Sequence, residues 1–264
     1  MLGTITRTIG KSVTIHTYTA PPAGTEVTTQ LVELDEQILV VDTQYAIPFA
    51  AEAANYARGL RKPISRVYVT HAHPDHFFGS AEFGAPVYAL QSVADELAAA
   101  GESMRLVNKQ LAGDVVPDEL TLPTHTVSPG TETISGVTFD FREIATAEAE
   151  TTLVIGLPDE SILIAQDIAY NNMHLFIAAG HLAEWDQVAK RLIDEGFTTI
   201  LPGHGLPGGP EILTFVRTYL EVAQPLLASA TDGAALKKAL VEAFPEAEGS
   251  MLLDIQNGYL FPAN

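Results

Sequence analysis

Hydrophobic and polar residues alternate in short runs through the N-terminal part of the chain, which is the pattern of half-buried β-strands. Residues 4–9 and 12–19 are predicted to form a hairpin around a Gly-Lys turn. Residues 27–34 and 37–41 predict a second pair of strands around an Asp-Glu turn, and this pair ends at Asp42. We therefore expect the fold to begin with β-structure.

The rest of the chain alternates helical and strand patterns. Residues 47–60 are rich in alanine and predict a helix, and the apolar, β-branched run at 64–70 predicts a buried strand. Further strands are predicted at 86–90, 124–127, 131–134, 137–144, 151–157, 161–165 and 199–201, and further helices at 92–100, 103–111 and 182–195. From residue 210 onwards two helices are predicted, with breaks near Gln224-Pro225 and at 231–233, before an apolar tail at 251–261. This order predicts an α+β or α/β sandwich of two sheets with helices outside.

Composition limits the classes of partner that the chain can bind. Its 264 residues carry a formal net charge of −19, which disfavours nucleic acid and anionic membranes as partners and is typical of a solvated surface. No change in composition marks a domain boundary, so we expect one domain over residues 1–264 with a C-terminal helical extension at about 210–264. A homo-oligomer is compatible with the sequence.

The chain contains no cysteine, so no thiolate is present to bind metal or to act as a nucleophile. The first residues, 1–11, show no apolar signal core, and no apolar run is long enough for a membrane helix. We therefore expect a cytoplasmic protein. Any metal site must use imidazole and carboxylate ligands.

The strongest chemical signal is the stretch His71-Ala72-His73-Pro74-Asp75-His76, directly after the predicted buried strand. His71 and His73 are two positions apart, so in extended chain they project from the same side and can grip one metal ion. Asp75 and His76 follow a proline, where the chain turns, and can reach a second position nearby. This spacing predicts a metal site.

Later stretches place further candidate ligands next to predicted strands. Glu148 and Glu150 precede the strand at 151–157, Asp167 follows the strand at 161–165, and His204 follows the strand at 199–201. Charged and imidazole groups at strand ends are typical of a site assembled from several loops.

The order His-x-His-x-Asp-His, then an aspartate after a later hairpin, then Pro-Gly-His-Gly, resembles the metallo-β-lactamase-fold hydrolases over about residues 27–206. The resemblance implies an α+β fold, an αββα sandwich, with a metal site at one edge of the sheets. It also implies a ligand set: His71 and His73 on a first metal ion, Asp75, His76 and His204 on a second, and Asp167 bridging the two.

One position departs from this pattern. The family has a third histidine on the first metal ion, and counting back from Leu157-Pro158 puts Glu148 there, with Glu150 as the alternative if the loop is shifted. A missing third ligand is the remaining possibility. We expect one or two divalent ions, zinc first, although a hard carboxylate ligand also suits manganese or ferrous iron.

The site implied by the resemblance fits hydrolysis of a small-molecule ester, lactone, thioester or amide by a metal-bound hydroxide. Asp75 would orient the hydroxide and carry its proton to the leaving group. Tyr170 follows Asp167 by three residues, as in the lactone-hydrolysing branch of the family, and would donate a hydrogen bond to the oxyanion. Packing in the core is the alternative for Tyr170.

Two other functions remain open: an iron-dependent, oxygen-using or redox enzyme on the same fold, and a non-catalytic metal-binding module. No Gly-x-Ser-x-Gly elbow is present, which argues against a serine hydrolase. We expect specificity to be set by loops at 44–49, 77–78 and 171–180, including His174, and by the C-terminal helices.

Overall fold

The structure is a computed structural model and describes residues 1–262. Two mixed β-sheets form its centre. The first sheet has seven strands in sequential order, antiparallel from β1 to β4 and parallel from β4 to β7. Its strands are β1 (Thr4–Ile9), β2 (Thr14–Thr19), β3 (Thr28–Glu33), β4 (Ile38–Val41), β5 (Ile64–Tyr68), β6 (Val87–Leu90) and β7 (His125–Val127). The alternating N-terminal pattern thus forms the antiparallel half of this sheet.

The second sheet has five strands in the order β12-β11-β10-β9-β8, and the β11–β12 pair is its parallel one. Its strands are β8 (Gly130–Ile134), β9 (Val137–Ala145), β10 (Thr151–Leu157), β11 (Ile162–Tyr170) and β12 (Thr199–His204). All nine residues of β11 are buried, which explains why this strand reads as a nearly continuous apolar run.

The helices cover the sheets and bury apolar faces against them. They are α1 (Ile47–Gly59), α2 (Pro74–Phe77), α3 (Gln91–Ala112), α4 (Leu182–Asp194), α5 (Glu211–Ser229), α6 (Gly233–Ala243) and α7 (Ser250–Leu260). The alanine-rich face of α1 packs on the core of the first sheet, whereas α4 and α5 pack on β11. The predicted α+β sandwich is confirmed. The end of the predicted C-terminal extension, residues 263–264, lies outside the described residues.

Two predicted helix breaks are wrong. Helix α3 is continuous across Gly101, which is buried beneath the 117–123 segment, so a small residue suits the helix there. Helix α5 also continues through Pro225. A proline inside a helix costs about 3 kcal/mol, and the apolar face of α5, including Val216 and Leu220, is buried against the second sheet and outweighs that cost.

The strands that carry site residues run further than predicted. We expected a strand at 161–165, but β11 continues to Tyr170, so Asp167 and Tyr170 lie within it. Strand β12 likewise runs through His204. Parallel pairing of the two strands extends to Tyr170 and His204, across register shifts on either side of Gln166. Both strands therefore deliver polar side chains to the same edge of the sheet.

The two sheets meet at this edge. Val27, just before β3, forms an isolated bridge with His204, and the Thr28 hydroxyl donates a hydrogen bond to the Pro202 carbonyl over 2.6 Å. The ends of β4 and β5 lie at the same edge, since Asp42 accepts a hydrogen bond from the Thr70 amide. Residues distant in sequence are thus assembled into one site.

Candidate metal centre

Seven side chains at this edge form two adjoining groups. Within each group, the potential ligand atoms lie within 4.8 Å of one another. The loop after β5 and helix α2 supply four of the residues, the loop before β10 supplies one, and β11 and β12 supply one each. The members are His71, His73, Glu148 and Asp167 in the first group, and Asp75, His76 and His204 in the second.

The first group is arranged around the Nε2 atom of His71. This atom lies 3.1 Å from His73 Nδ1, 3.6 Å from Glu148 Oε2 and 3.8 Å from Asp167 Oδ2. His73 Nδ1 lies 3.2 Å from the other oxygen of Glu148. Of the two candidate glutamates, Glu148 therefore faces the site, whereas Glu150 is exposed and contacts His181.

The second group lies on the other side of Asp167. His76 Nε2 is 3.2 Å from Asp167 Oδ1 and 3.7 Å from Asp75 Oδ1. His204 Nε2 is 3.4 Å from both Asp167 Oδ2 and Asp75 Oδ2. Asp167 thus stands between the two groups, in contact with histidines of both.

These separations fit a metal ion. Zinc bonds of 2.0–2.2 Å in tetrahedral geometry separate neighbouring ligand atoms by roughly 3.4 Å. In addition, His76 Nε2, both oxygens of Glu148 and Asp167 Oδ1 are buried without a hydrogen-bond partner. Leaving several buried polar atoms unpaired is costly unless a bound group satisfies them. The donor set therefore suits one or two divalent cations.

Three of the histidines are held so that Nε2 points into the site. The Nδ1 atoms of these rings contact groups outside it: the Thr70 hydroxyl for His71 at 3.0 Å, Asp42 Oδ2 for His76 at 2.8 Å and the Thr25 carbonyl for His204 at 2.7 Å. Because a carbonyl only accepts, His204 carries a proton on Nδ1, which leaves Nε2 as the nitrogen that can bind a metal ion. Outer partners of this kind orient metal ligands and raise their basicity.

Asp42 is the site residue that sequence reasoning missed. It is fully buried and accepts hydrogen bonds from the Thr70 amide, the Thr70 hydroxyl, His76 and Gln166. Asp42 also forms a group with His71 and His76 whose potential ligand atoms lie within 4.8 Å of one another. Since its oxygens already have donors, we interpret Asp42 as an orienting group and not as a ligand. The available signal was the position of Asp42 at the end of an apolar strand, like the other site residues. Asp42 and Gln166 both have positive φ, 60° and 44°, which is typical of backbone held at functional sites.

Asp167 needs a glycine beside it. A Cβ atom at Gly203 would lie 1.7 Å from Asp167 Oδ1 and 2.8 Å from the Asp167 backbone nitrogen. The Pro-Gly-His-Gly stretch is therefore more than a turn: its first glycine leaves room for the carboxylate, and its histidine enters the site.

Electrostatics favour a cation in this site. Burial lowers the pKa of His73 but the carboxylate of Glu148 outweighs it and raises the value to about 9. Burial also opposes the charged form of His204, yet Asp167 raises its pKa to about 10. Burial raises the pKa of Glu148 itself. The metal-free site thus holds protons that a metal ion would displace, so metal uptake should release protons.

Tyr170 is fully buried, and its hydroxyl donates a 2.8 Å hydrogen bond to Asp167 Oδ2. Its ring stacks on the His204 ring at a centroid distance of 4.8 Å. The hydroxyl therefore lies at the site, while the ring packs in the core. His174, expected near the substrate cleft, is instead buried and bonded to the Tyr219 hydroxyl over 3.0 Å.

Solvent reaches the site from one side. The side chains of His73 and Asp75 are 29% and 19% exposed, and those of the other five residues are at most 2% exposed. A substrate must therefore approach past His73 and Asp75.

Comparison with known proteins identifies the family. Residues 24–204, more than half of the chain, match the sequence model of the metallo-beta-lactamase superfamily. The chain belongs to the metallo-β-lactamase superfamily. The fold of this superfamily binds divalent metals.

Solved metallo-β-lactamases share the fold of this superfamily member. A metallo-beta-lactamase from Pontibacter korlensis superimposes with a TM-score of 0.64 at 20% identity, covering 83% of this chain and 99% of that one. The metallo-beta-lactamase FIM-1 from Pseudomonas aeruginosa, in its mono-zinc form, gives 0.61 at 20% identity, covering 84% and 96%. At this identity the likeness concerns the fold alone.

A curated relative of this metallo-β-lactamase superfamily member is the alkyl/aryl-sulfatase BDS1 of Saccharomyces cerevisiae, 24% identical over 198 residues. The match covers 61% of this chain but 31% of the sulfatase, so the chain spans about a third of the length of that relative. Within residues 1–262, no helix combines the length and apolar character needed to cross a membrane.

Proposed function

We propose that the protein is a metal-dependent hydrolase of a small-molecule ester, lactone, thioester or amide. The observation that carries the proposal is the convergence of His71, His73, Glu148, Asp75, His76, Asp167 and His204 with buried, unpaired ligand atoms. In this proposal each of the two groups would hold one divalent ion, and Asp167, which lies beside histidines of both groups, would serve both. Zinc is the first choice, with manganese or ferrous iron as alternatives because Glu148 is a hard ligand.

A divalent ion in this site supplies Lewis-acid activation of water and of the scissile carbonyl. Asp75 is the carboxylate on the open side of the site. Burial raises the pKa of Asp75, but His76 and His204 outweigh burial and hold it well below its usual range. Asp75 is thus ionised at neutral pH, and it accepts the proton of the attacking water and passes it to the leaving group.

Tyr170 acts on the developing negative charge in this scheme. Burial and the neighbouring carboxylate of Asp167 raise the pKa of its hydroxyl well above the usual value, so the hydroxyl keeps its proton. In this scheme the hydroxyl, which donates to Asp167 Oδ2 in this structure, would turn its one proton to the substrate oxyanion.

A second candidate substrate is an alkyl or aryl sulfate ester, because of the sulfatase relative. A sulfate monoester is anionic, and recognition of an anion usually uses arginine or lysine. Among residues 1–262, no lysine or arginine forms an ion pair with the site carboxylates. We therefore rank uncharged esters first.

The test begins with metal content. The protein is depleted with chelator and reloaded separately with zinc, manganese or ferrous iron, and bound metal is measured by elemental analysis beside a His71→Ala, His73→Ala double variant. We expect one to two ions per chain in the wild type and a clear loss in the variant. Equal metal content in both proteins would remove the central claim.

Each loaded form is then assayed on p-nitrophenyl acetate, γ-butyrolactone, a thioester, an amide and p-nitrophenyl sulfate. Hydrolysis of an uncharged substrate supports the first candidate, and hydrolysis of the sulfate alone supports the second. Oxygen uptake by the iron form with no hydrolysis would favour the redox alternative. Metal binding without any turnover would favour a non-catalytic module.

A further inference from the structure

Aromatic rings form a continuous path from the exposed metal-centre histidine to the surface. The Phe176 ring meets the His73 ring edge-on, with centroids 5.3 Å apart. Tyr259 of α7 meets Phe176 edge-on in turn, at 5.9 Å. His73 and Asp75 are the side chains through which the site opens, so this path lies at its mouth.

Tyr45 lies outside this path. Its hydroxyl donates a 2.9 Å hydrogen bond to Asn108 of α3, and its ring packs on Phe78 with centroids 5.5 Å apart. Phe176 and Tyr259, whose rings connect His73 to the surface, form an aromatic rim at the mouth of the site.

Helix α7 is held firmly in place, so its ring is not on a loose tail. Leu252, Leu253 and Gln256 are buried, and the Gln256 side-chain carbonyl accepts a 2.9 Å hydrogen bond from the Ile177 amide. That amide is next to Phe176 in the chain. The contact therefore fixes α7 against the loop that carries the inner ring of the path.

The neighbouring face of α7 is apolar and exposed. Met251, Ile255 and Tyr259 follow one another at intervals of four residues, and they are 42%, 45% and 68% exposed. Side chains at this spacing share one helix face. On α3, Val107 and Leu111 flank Asn108 and are also exposed. Exposed apolar side chains scattered singly are normal, but a stripe that leads to a site mouth marks a binding surface.

We propose that the aromatic rim, continued by the apolar stripe of α7, binds an apolar acyl or aryl group of the substrate while the scissile group lies between His73 and Asp75. We assign this surface to the substrate because the rim is continuous with the metal centre through the Phe176–His73 contact. This inference rests on the proposed function and names its substrate class: esters or amides with a long aliphatic or an aromatic substituent.

The test uses two metal-binding probes that differ in their apolar part. Acetohydroxamate and octanohydroxamate bind the zinc-loaded protein through the same head group, and isothermal titration calorimetry gives each Kd. Six additional methylene groups, partly buried on the rim, should tighten binding by about tenfold or more. Sedimentation at the same protein concentrations reports the oligomeric state.

We define the gain as the Kd of acetohydroxamate divided by the Kd of octanohydroxamate. In Tyr259→Ala this gain should fall by about three- to tenfold, while the Kd of acetohydroxamate and the zinc content stay as in the wild type. Tyr259→Phe should keep the gain, because the ring and not the hydroxyl forms the rim. Ile255→Ala should give an intermediate loss. Ile9→Ala is the control, since Ile9 is an exposed apolar residue on β1 and belongs to no part of the rim.

Two results would refute the rim as a binding surface and leave the proposed function standing. In the first, acetohydroxamate binds and octanohydroxamate binds no more tightly. In the second, octanohydroxamate binds more tightly and Tyr259→Ala does not reduce this difference in Kd. Failure of both hydroxamates to bind zinc-loaded wild type would overturn the proposed function and this inference together. Sedimentation could also show that the wild type is a dimer and Tyr259→Ala a monomer, with the gain unchanged. The apolar stripe of α7 would then bind a second copy of the chain, and the inference would be refuted.

Discussion

Glu148 and Glu150 are two residues apart, yet the first is buried against the two histidines of the metal centre and the second is exposed against His181. The backbone explains the difference. Between β9 and β10 the chain makes a tight turn, in which the Thr146 amide bonds the Glu150 carbonyl and the Ala147 amide bonds the Ala149 carbonyl. Glu148 is at the tip of this turn and enters the site.

The first prediction separates these two carboxylates. Glu148→Ala should lower zinc content by about one ion per chain, since it removes a ligand of the first group while His76, Asp167 and His204 remain. Glu150→Ala is the matched control and should bind zinc like the wild type. Elemental analysis after dialysis measures both. Metal loss in Glu150→Ala alone would show that the assignment is displaced by two residues.

The second prediction concerns Asp75, which is partly exposed and contributes little to the core. Asp75→Asn should keep a cooperative thermal transition while kcat falls by about a hundredfold or more on any ester that the wild type hydrolyses, because a proton acceptor is lost. Asp159→Asn, a surface carboxylate change, is the control. Near-normal turnover in Asp75→Asn would rule out the proton-transfer role.

The third prediction concerns the Tyr170 hydroxyl. Tyr170→Phe keeps the ring that stacks on His204 and removes the group that contacts Asp167. If the hydroxyl stabilises the oxyanion, kcat should fall by roughly ten- to a hundredfold with zinc content unchanged. Unaltered kinetics would leave Tyr170 with its packing role.

The fourth prediction tests Asp42 as the residue that orients His76. In Asp42→Asn an amide nitrogen faces donors that formerly met a carboxylate oxygen, so His76 loses its anchor. The affinity for zinc at the second group, which contains His76, should fall by about ten- to a hundredfold, as for other outer partners of metal ligands. Competition with a fluorescent chelator measures this, again with Asp159→Asn as control. Equal affinities in Asp42→Asn and wild type would contradict the orienting role.

The fifth prediction is a pH dependence away from the metal centre. Burial, helped by the charge of Lys237, lowers the pKa of His174 from 6.5 to about 4. Between these values the unfolded chain binds more protons than the folded one, so stability rises with pH across this window and is lost as pH falls through it.

His174→Gln removes this contribution. Between pH 7 and pH 5 the wild type should lose about 2 kcal/mol more unfolding free energy than the variant. Urea titrations of both proteins in the same chelator-containing buffers give the difference, in which all other titrating groups cancel. Parallel pH profiles would show that His174 titrates normally in the fold.

Local pattern was sufficient for most elements and for the histidine stretch. Alternation, alanine-rich periodicity and turn residues are short-range properties, so strands such as β1 and β10 and helices such as α1 and α4 appear close to where they were predicted. The spacing of His71, His73 and His76 is also local, and it depends on a strand end and a proline that the sequence displays directly.

Long-range packing explains the elements whose bounds the local sequence pattern predicted wrongly. Helix α5 continues through Pro225 because its buried face is stabilised by the second sheet, and β11 extends to Tyr170 because β12 pairs with it. Neither effect is visible within a short window, since the stabilising partner is distant in sequence.

The sequence by itself determined the residue types of the candidate site, the family resemblance and the approximate position of each candidate ligand along the chain, because these depend on residue identity and short spacing. Tertiary structure alone decided that Glu148 and not Glu150 faces the histidines, that Asp42 and Gln166 support His76, and that Tyr259 reaches the mouth of the site. These relationships join segments up to 124 residues apart or depend on the exact path of one turn. A one-dimensional pattern carries no information on which way such side chains point once the chain closes on itself.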